Sequence, residues 1–325
     1  MRAVLAPKRL KAYSVAALVA AALSFTRTPY SLILPGSAVD LGKVITVSGH
    51  RQPKERYFLT DVTLQQHASP VLLLQTFLPG ARLVKAADVV PTGISDRQFE
   101  SAMVQAMSES QSTAAEVAER AAGLPVHSSN TRVVVRKFAA ISKARGALQI
   151  GDIITNVRGK SICTTVQVQN QLASVPGGAT VPVMVLRHDS LRSARVRTVA
   201  TSAGTRFGIL LEPQFTQPRL PVRILYDVGN ISGSSGGLMF ALYIYHSLRP
   251  AKTARFSMVA GTGTLACDGT IGPIEGTAQK VIAARKAGAK VFFVPKENYK
   301  EIAATTDILI VPVGTFAQAL TALRS

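Results

Sequence analysis

The sequence contains no tryptophan, only two cysteines and only 18 acidic residues in 325. Each scarcity excludes something. Two cysteines, Cys163 and Cys267, cannot make a disulfide-dense scaffold or an all-cysteine zinc cluster, and they are expected to lie buried as small hydrophobes. The five histidines (His50, His67, His127, His188, His246) show neither HExxH nor HxxxH spacing, so no metal is expected, nor any other cofactor. No phosphate-cradling GxxxxGK followed by Ser or Thr occurs. ATP-driven unfolding is therefore not expected.

What is abundant is apolar side chain and positive charge. Hydrophobic residues make up 47% and charged residues 17%, enough burial to offset chain entropy, and the length suits about two domains. Lys and Arg number 37, giving a net charge of +19. Phosphate recognition needs those cations clustered. The densest groups, Lys8, Arg9 and Lys11, then Arg192, Arg195 and Arg197, sit in no helix-turn-helix, RRM or zinc-finger frame. No nucleic-acid partner is expected; a basic face toward anionic membrane or envelope polymer is.

Arg2, Lys8, Arg9 and Lys11 precede an uncharged stretch, Ala12 to Phe25, which Arg27 and Pro29 follow. That is the pattern of an export signal. The stretch is short for a membrane span, and Ala22-Leu23-Ser24 offers a fair cleavage site, so a cleaved leader and an uncleaved anchor both stay open. The anchor, extended by Thr26 and Tyr30 to Leu34, is the expectation carried forward. The flanking cations put its amino terminus in the cytoplasm and the rest of the chain outside.

After Pro35-Gly36, the runs Lys43–Val47 and Arg56–Thr63 read as strands forming a hairpin. Ser95 and Gln98 make a capping box, and Phe99, Met103, Met107, Ala114, Val117 and Ala118 recur at helical spacing up to Gly123. Beyond Gly123-Leu124-Pro125, short strands at Val133–Val135, Asp152–Val157, Val181–Leu186 and Arg195–Val199, with one helix near Val166–Leu172, define a small β-rich module. From Thr205 strands and helices alternate: strands at Val222–Tyr226, Ser257–Leu265, Val291–Val294 and Ile308–Val311, helices at Gly236–Leu248, Thr277–Ala287 and Phe316–Leu323. The expected fold class is α+β.

Gly233-Ser234-Ser235-Gly236-Gly237 matches G-x-S-x-G, which can raise a nucleophilic serine on a turn before a helix. A serine there can equally be a helix cap. An α/β-hydrolase would need an acid and then a histidine downstream, but only His246 follows, within the adjoining helix, so that triad is excluded. Lysine is the remaining base, provided burial lowers its pKa. At about 100° per residue, Lys280 shares its face with Thr277, Ala283, Ala284 and Ala287, while Arg285 and Lys286 point elsewhere. A lysine among such small residues can be closely packed, although helical geometry alone favours a lysine that snorkels from a solvated face.

Three longer stretches carry family resemblance. "RVVVRKF", "ALQIGDIITNVRGKSI" and "VPGGATVPVMVLR" resemble bacterial PDZ domains over Leu124 to Ala200. "ISGSSGGLMFAL" is similar to the nucleophile segment of Lon-type peptidases, and "VAGTGTLACDGTIGPIEGTAQKVIAARKAGAKVFFVPKEN" to their general-base segment. The whole chain resembles the membrane-anchored, PDZ-containing Lon-like serine peptidases. That resemblance implies Ser235 as nucleophile, Lys280 as base and Thr262 as the residue orienting the lysine, with Gly233, Ser234 and Gly236 forming the oxyanion turn. Ser234 and Gly236 stand where the family usually has proline and alanine, which is expected to loosen the turn.

The stretch Met107 to Ala115 resembles the "ESAxxA" helix of the first half of a Lon peptidase domain. The expected layout is an export signal or anchor over 1–35, the first part of the peptidase domain over 36–123, an inserted PDZ domain over 124–203 and the catalytic part over 204–325. The helix Phe99–Ala122 should then pack against the Ser235 unit. The expected activity is ATP-independent serine endopeptidase action on polypeptide outside the membrane, with the PDZ unit helping to recognise substrate. Homo-oligomerisation is expected by analogy with Lon rings. A membrane-tethered PDZ adaptor without strong catalysis, and a polyanion-binding envelope protein, are the alternatives.

Overall fold

The computed structural model describes residue 24 and residues 26–90, 95–126, 131–163, 165–201, 204–215, 220–250, 255–305 and 307–324. Most of the stretch read as an export signal or anchor lies outside them. Among the described residues no helix is long and apolar enough to cross a membrane.

In chain order the elements are β1 (Tyr30–Asp40), β2 (Ile45–Val47), β3 (Arg56–Gln65), β4 (Arg82–Lys85), α1 (Ala86–Val89), α2 (Asp96–Ala121), β5 (Thr131–Phe138), β6 (Ile153–Val157), β7 (Lys160–Ser161) and α3 (Thr165–Leu172). Then come β8 (Thr180–Arg187), β9 (Ser190–Arg197), β10 (Val199–Thr201), β11 (Gly204–Arg206), β12 (Ile209–Phe215), β13 (Ile224–Tyr226) and α4 (Gly237–Leu248). The last are β14 (Met258–Gly261), β15 (Thr264–Leu265), β16 (Ile271–Gly272), α5 (Thr277–Lys286), β17 (Val291–Pro295), α6 (Tyr299–Ile302), β18 (Leu309–Val313) and α7 (Phe316–Arg324).

One mixed sheet, ordered β18-β17-β14-β3-β1-β4, carries the larger unit. Its β3, β14, β17 and β18 run parallel, whereas β1 runs antiparallel to both β3 and β4. Consecutive residues of β3 and β17 are buried, because helices cover both faces. Tyr57, Leu59, Val259, Val291 and Phe293 join one core with α2, α4 and α7, while Phe58, Ala260, Phe292 and Val294 join another with α5. A three-layer, mixed α/β arrangement results.

Two local expectations are corrected here. The run Tyr30–Leu34 is not part of an anchor: it begins β1, where Leu32 and Ile33 are buried and both edges are paired. Nor do the runs around Ile45–Val47 and Arg56–Thr63 form a hairpin with each other. β2 pairs with β13, and β3 pairs with β1 and β14, because a strand apolar on both faces belongs inside the sheet rather than on an open ribbon.

The capping box of Ser95 and Gln98 starts α2, a single helix that runs to Ala121. Its Ala114, Ala115 and Ala118 let it approach α4 closely. Of α4, Gly237 to Ser247 are all buried, as expected of a helix apolar on every side. Thus α2 does pack against the unit that holds Ser235.

Between Gly123 and Ile224 lies a β-rich unit whose main sheet runs β12-β5-β6-β8-β9, with β7 paired to β6 and β10 and β11 forming a separate pair. It has its own core of Val133, Val135, Leu148, Ile154, Leu172 and Val183, among others. The β-rich unit is bonded to the larger one. Cys163 and Cys267 form a disulfide, which corrects the reading of two separate buried hydrophobes. The fold sets the residues before α3 beside the β15–β16 turn, with the two Cα atoms 6.1 Å apart, inside the range a disulfide spans.

Candidate active site

The turn before α4 is held from several sides. Gly233 takes φ +91, which favours glycine, and its N–H donates to the carbonyl of Met103 on α2 at 2.9 Å. The next carbonyl, of Ser234, accepts from Ser110 Oγ at 3.1 Å. The carbonyl of Ser235 accepts from the Gly263 N–H at 2.9 Å and from Thr262 Oγ1 at 3.1 Å. The strand read as Ser257–Leu265 is interrupted here, with β14 ending at Gly261 and β15 beginning at Thr264: the Thr262 N–H still donates to the Phe293 carbonyl at 2.9 Å while its side chain reaches Ser235, and the Gly263 N–H turns to the Ser235 carbonyl.

Gly236 is not the loosening residue expected from sequence. Its backbone is right-handed helical, at φ −87 and ψ −9, a conformation open to any residue. A Cβ there would stand 2.8 Å from Leu59 Cδ1 and 3.0 Å from Phe240 Cε2. Packing, not flexibility, is what this glycine supplies. Gly233 lies in the turn, with its N–H already given to Met103.

On the opposite side, α5 begins after left-handed Gly276 and turns Thr277, Lys280, Ala283 and Ala284 inward, all four buried. Lys280 is 3% exposed. Its Nζ lies 2.6 Å from Ser235 Oγ and 3.2 Å from Thr262 Oγ1. Burial disfavours the ammonium and pushes the Lys280 pKa down to about 8, against the opposing pull of the Asp61 carboxylate. At pH 7 about a tenth of the amine is then uncharged, far more than for an ordinary lysine, and able to accept the serine proton.

Asp61 was not singled out from sequence. It lies on β3, where an irregularity in β1 between Pro35 and Ala38 presents the Ser37 N–H at 2.5 Å and the Ser37 Oγ at 2.9 Å. Together with Met107, Ser232, Ser235 and Lys280 it lines a cleft of about 280 Å³. A groove of about 800 Å³ continues from it between Val62 and Leu64 of β3 and Phe99, Met103 and Met107 of α2. The helical spacing of those methionines was legible. That it marks a groove wall as well as a core face was not.

His246, the one histidine beyond Ser235, is buried with Nδ1 on the Leu242 carbonyl at 2.9 Å and its ring stacked on Tyr57. No triad forms. Among the described residues no group of three His, Cys, Asp or Glu could hold a metal ion.

Residues 222–312 match the family described as Lon protease (S16) C-terminal proteolytic domain. The segment bearing Ser235, Thr262 and Lys280 is similar to a Lon proteolytic domain. A 91-residue stretch is 35% identical to Lon protease 2 of Bacillus subtilis (strain 168), covering 28% of this chain and 16% of that protein. Solved structures similar in part include the PDZ domain of an SdrC-like protein from Listeria monocytogenes, 23% identical over 26% of this chain and 93% of that one, with a TM-score of 0.24. The PDZ domain of the SdrC-like protein from Listeria innocua is 26% identical over 26% of this chain and 96% of that one, also with a TM-score of 0.24.

Proposed function

We propose that this chain is an ATP-independent serine endopeptidase working through Ser235 and Lys280. The observation that carries the reading is a buried amine 2.6 Å from a serine hydroxyl at the foot of a helix. Ser235 Oγ attacks the scissile carbonyl while Lys280 Nζ takes its proton, and the lysine then returns a proton to the departing amine, leaving an acyl-enzyme. Water hydrolyses the ester with Lys280 again accepting a proton, which restores Ser235. Thr262 orients the amine. The N–H groups of Ser235 and Gly236, at the positive end of α4, serve the oxyanion.

The groove along β3 and α2 takes the extended substrate on one side of the scissile bond. A second groove, of about 560 Å³, lies between α3 and β12 in the β-rich unit, and β12 is the outer strand of its sheet. A PDZ-like unit would hold a peptide there by strand addition. The Cys163–Cys267 disulfide supports residence in an oxidising compartment, and the charged-then-apolar amino terminus supports attachment to the outer face of a membrane.

Incubating the full chain with an unstructured polypeptide such as casein tests the reading. Cleavage by the native chain that is lost in Ser235→Ala and in Lys280→Ala supports it. Absence of cleavage in all three, with peptide still bound by the β-rich unit, identifies an adaptor instead.

A further inference from the structure

The 3₁₀ turn Leu72–Phe77 buries none of its residues, although it reads Leu-Leu-Leu-Gln-Thr-Phe. Phe77 is 86% exposed, Leu74 66% and Leu78 53%, and Val71, Tyr30 and Leu83 are exposed beside them in sequence or across the β1–β4 pair. This ridge is held in place. Ser69 Oγ accepts from the Leu72 N–H, Gln75 Oε1 accepts from Gln65 Nε2 at 3.0 Å, and the Gly80 carbonyl accepts from Gln279 Nε2 at 2.9 Å. An apolar cluster fixed toward solvent on a soluble face marks a contact surface.

Where the chain enters the fold identifies what covers it. The uncharged stretch Ala12–Phe25 ends three residues before Thr28. Thr28 is tied to the Ala68 carbonyl through its N–H at 3.3 Å and its Oγ1 at 2.6 Å, and the Pro29 carbonyl accepts from the Ala86 N–H at 2.8 Å. The entry point is thus pinned to Ala68, three residues before Val71. Arg27, Arg82 and Lys85 border it in a chain of net charge +19; Arg27 pairs with Asp96 at 3.4 Å and Arg82 with Glu275 at 3.6 Å, yet both arginine side chains stay more than half exposed. Apolar side chains rimmed by cations suit the interface of an anionic bilayer.

We infer that the Leu74, Phe77, Leu78 ridge, with Leu83, rests in the surface of the anionic phospholipid membrane that the amino terminus enters. This inference rests on the membrane-attached reading above. It makes the attachment two-point: the amino-terminal stretch anchors the chain, and the ridge fixes how the catalytic unit sits on the bilayer.

The absence of tryptophan gives a clean test. Full-length Phe77→Trp carries a sole tryptophan, as does a control, Ile150→Trp, in the β-rich unit, where Ile150 is 66% exposed. Both are reconstituted with phosphatidylcholine–phosphatidylglycerol vesicles, with and without brominated acyl chains. The expected result is flotation of both with the vesicles, several-fold quenching by brominated lipid for Phe77→Trp alone, and loss of that quenching when Leu74→Ser and Leu78→Ser are added. Flotation without quenching overturns the membrane contact and leaves the anchored reading standing. A blue-shifted Phe77→Trp emission that depends on protein concentration and not on lipid shows a second copy on the ridge and overturns the proposal. Failure of the native chain to float overturns the anchored reading, and the ridge contact with it.

Discussion

Lys280 Nζ stands 2.6 Å from Ser235 Oγ across 45 residues of sequence, and the amine is almost fully sealed from solvent. The pair is assembled by three elements. α4 begins just after the serine, α5 carries the lysine, and the break between β14 and β15 lets Thr262 touch both sides, accepting from the Lys280 amine and donating to the Ser235 carbonyl.

Thr262→Val keeps the side-chain shape and removes both of those bonds. Each is worth about 1 kcal/mol, so kcat on a fluorogenic peptide should fall by about tenfold to a hundredfold with KM little changed. An unaltered kcat would remove Thr262 from the site.

Restoring the alanine usual in the resembled family, Gly236→Ala, places a Cβ 2.8 Å from Leu59 Cδ1. Overpacking of this kind costs about 1 to 3 kcal/mol. Denaturant unfolding should show that loss for Gly236→Ala and a partial recovery for the double variant with Leu59→Val. Additive losses would show that Leu59 is not the residue in the way.

Glu119 on α2 is fully buried, and the Val222 N–H beside its carboxylate opposes the effect of burial only in part. Burial raises its pKa to about 7. Because the folded state holds this proton more tightly than the unfolded state does, stability falls as pH rises from about 4.5 through 7. Glu119→Gln removes the buried charge, so it should stabilise the protein at pH 8 by at least about 1 kcal/mol and give much less at pH 5, read as thermal midpoints at the two pH values. An equal effect at both would contradict the assignment.

The Cys163–Cys267 bridge closes a loop of 104 residues between two units with separate cores. Its removal in Cys163→Ser with Cys267→Ser should cost about 2 to 4 kcal/mol. It should also speed limited proteolysis between the two units. Unchanged cleavage patterns would show that the β-rich unit is held by other contacts.

The periodic elements were legible because their signals are local. The capping box, the spacing of Phe99 to Ala118 and the small-residue face around Lys280 each lie within a few turns of helix. The pairing of β2 with β13 was not, since nothing local in Ile45–Val47 names a partner almost two hundred residues away. The disulfide escaped for the same reason. Two cysteines become neighbours only once α3 and the β15–β16 turn are placed together in space. At the candidate site, residue types indicated which groups could react, while Asp61 emerged only from the register of β3 against β1, and the packing role of Gly236 only from the position of Leu59.

Titration of the Lys280 side chain by ¹³Cε NMR, with its resonance assigned by loss in Lys280→Met, measures the property on which the proposed proteolysis depends. A pKa of about 8 in the folded protein, rising toward the ordinary lysine value on unfolding, is the expected result. A folded-state value near 10.5 would leave the amine protonated at neutral pH and remove Lys280 as the base for Ser235.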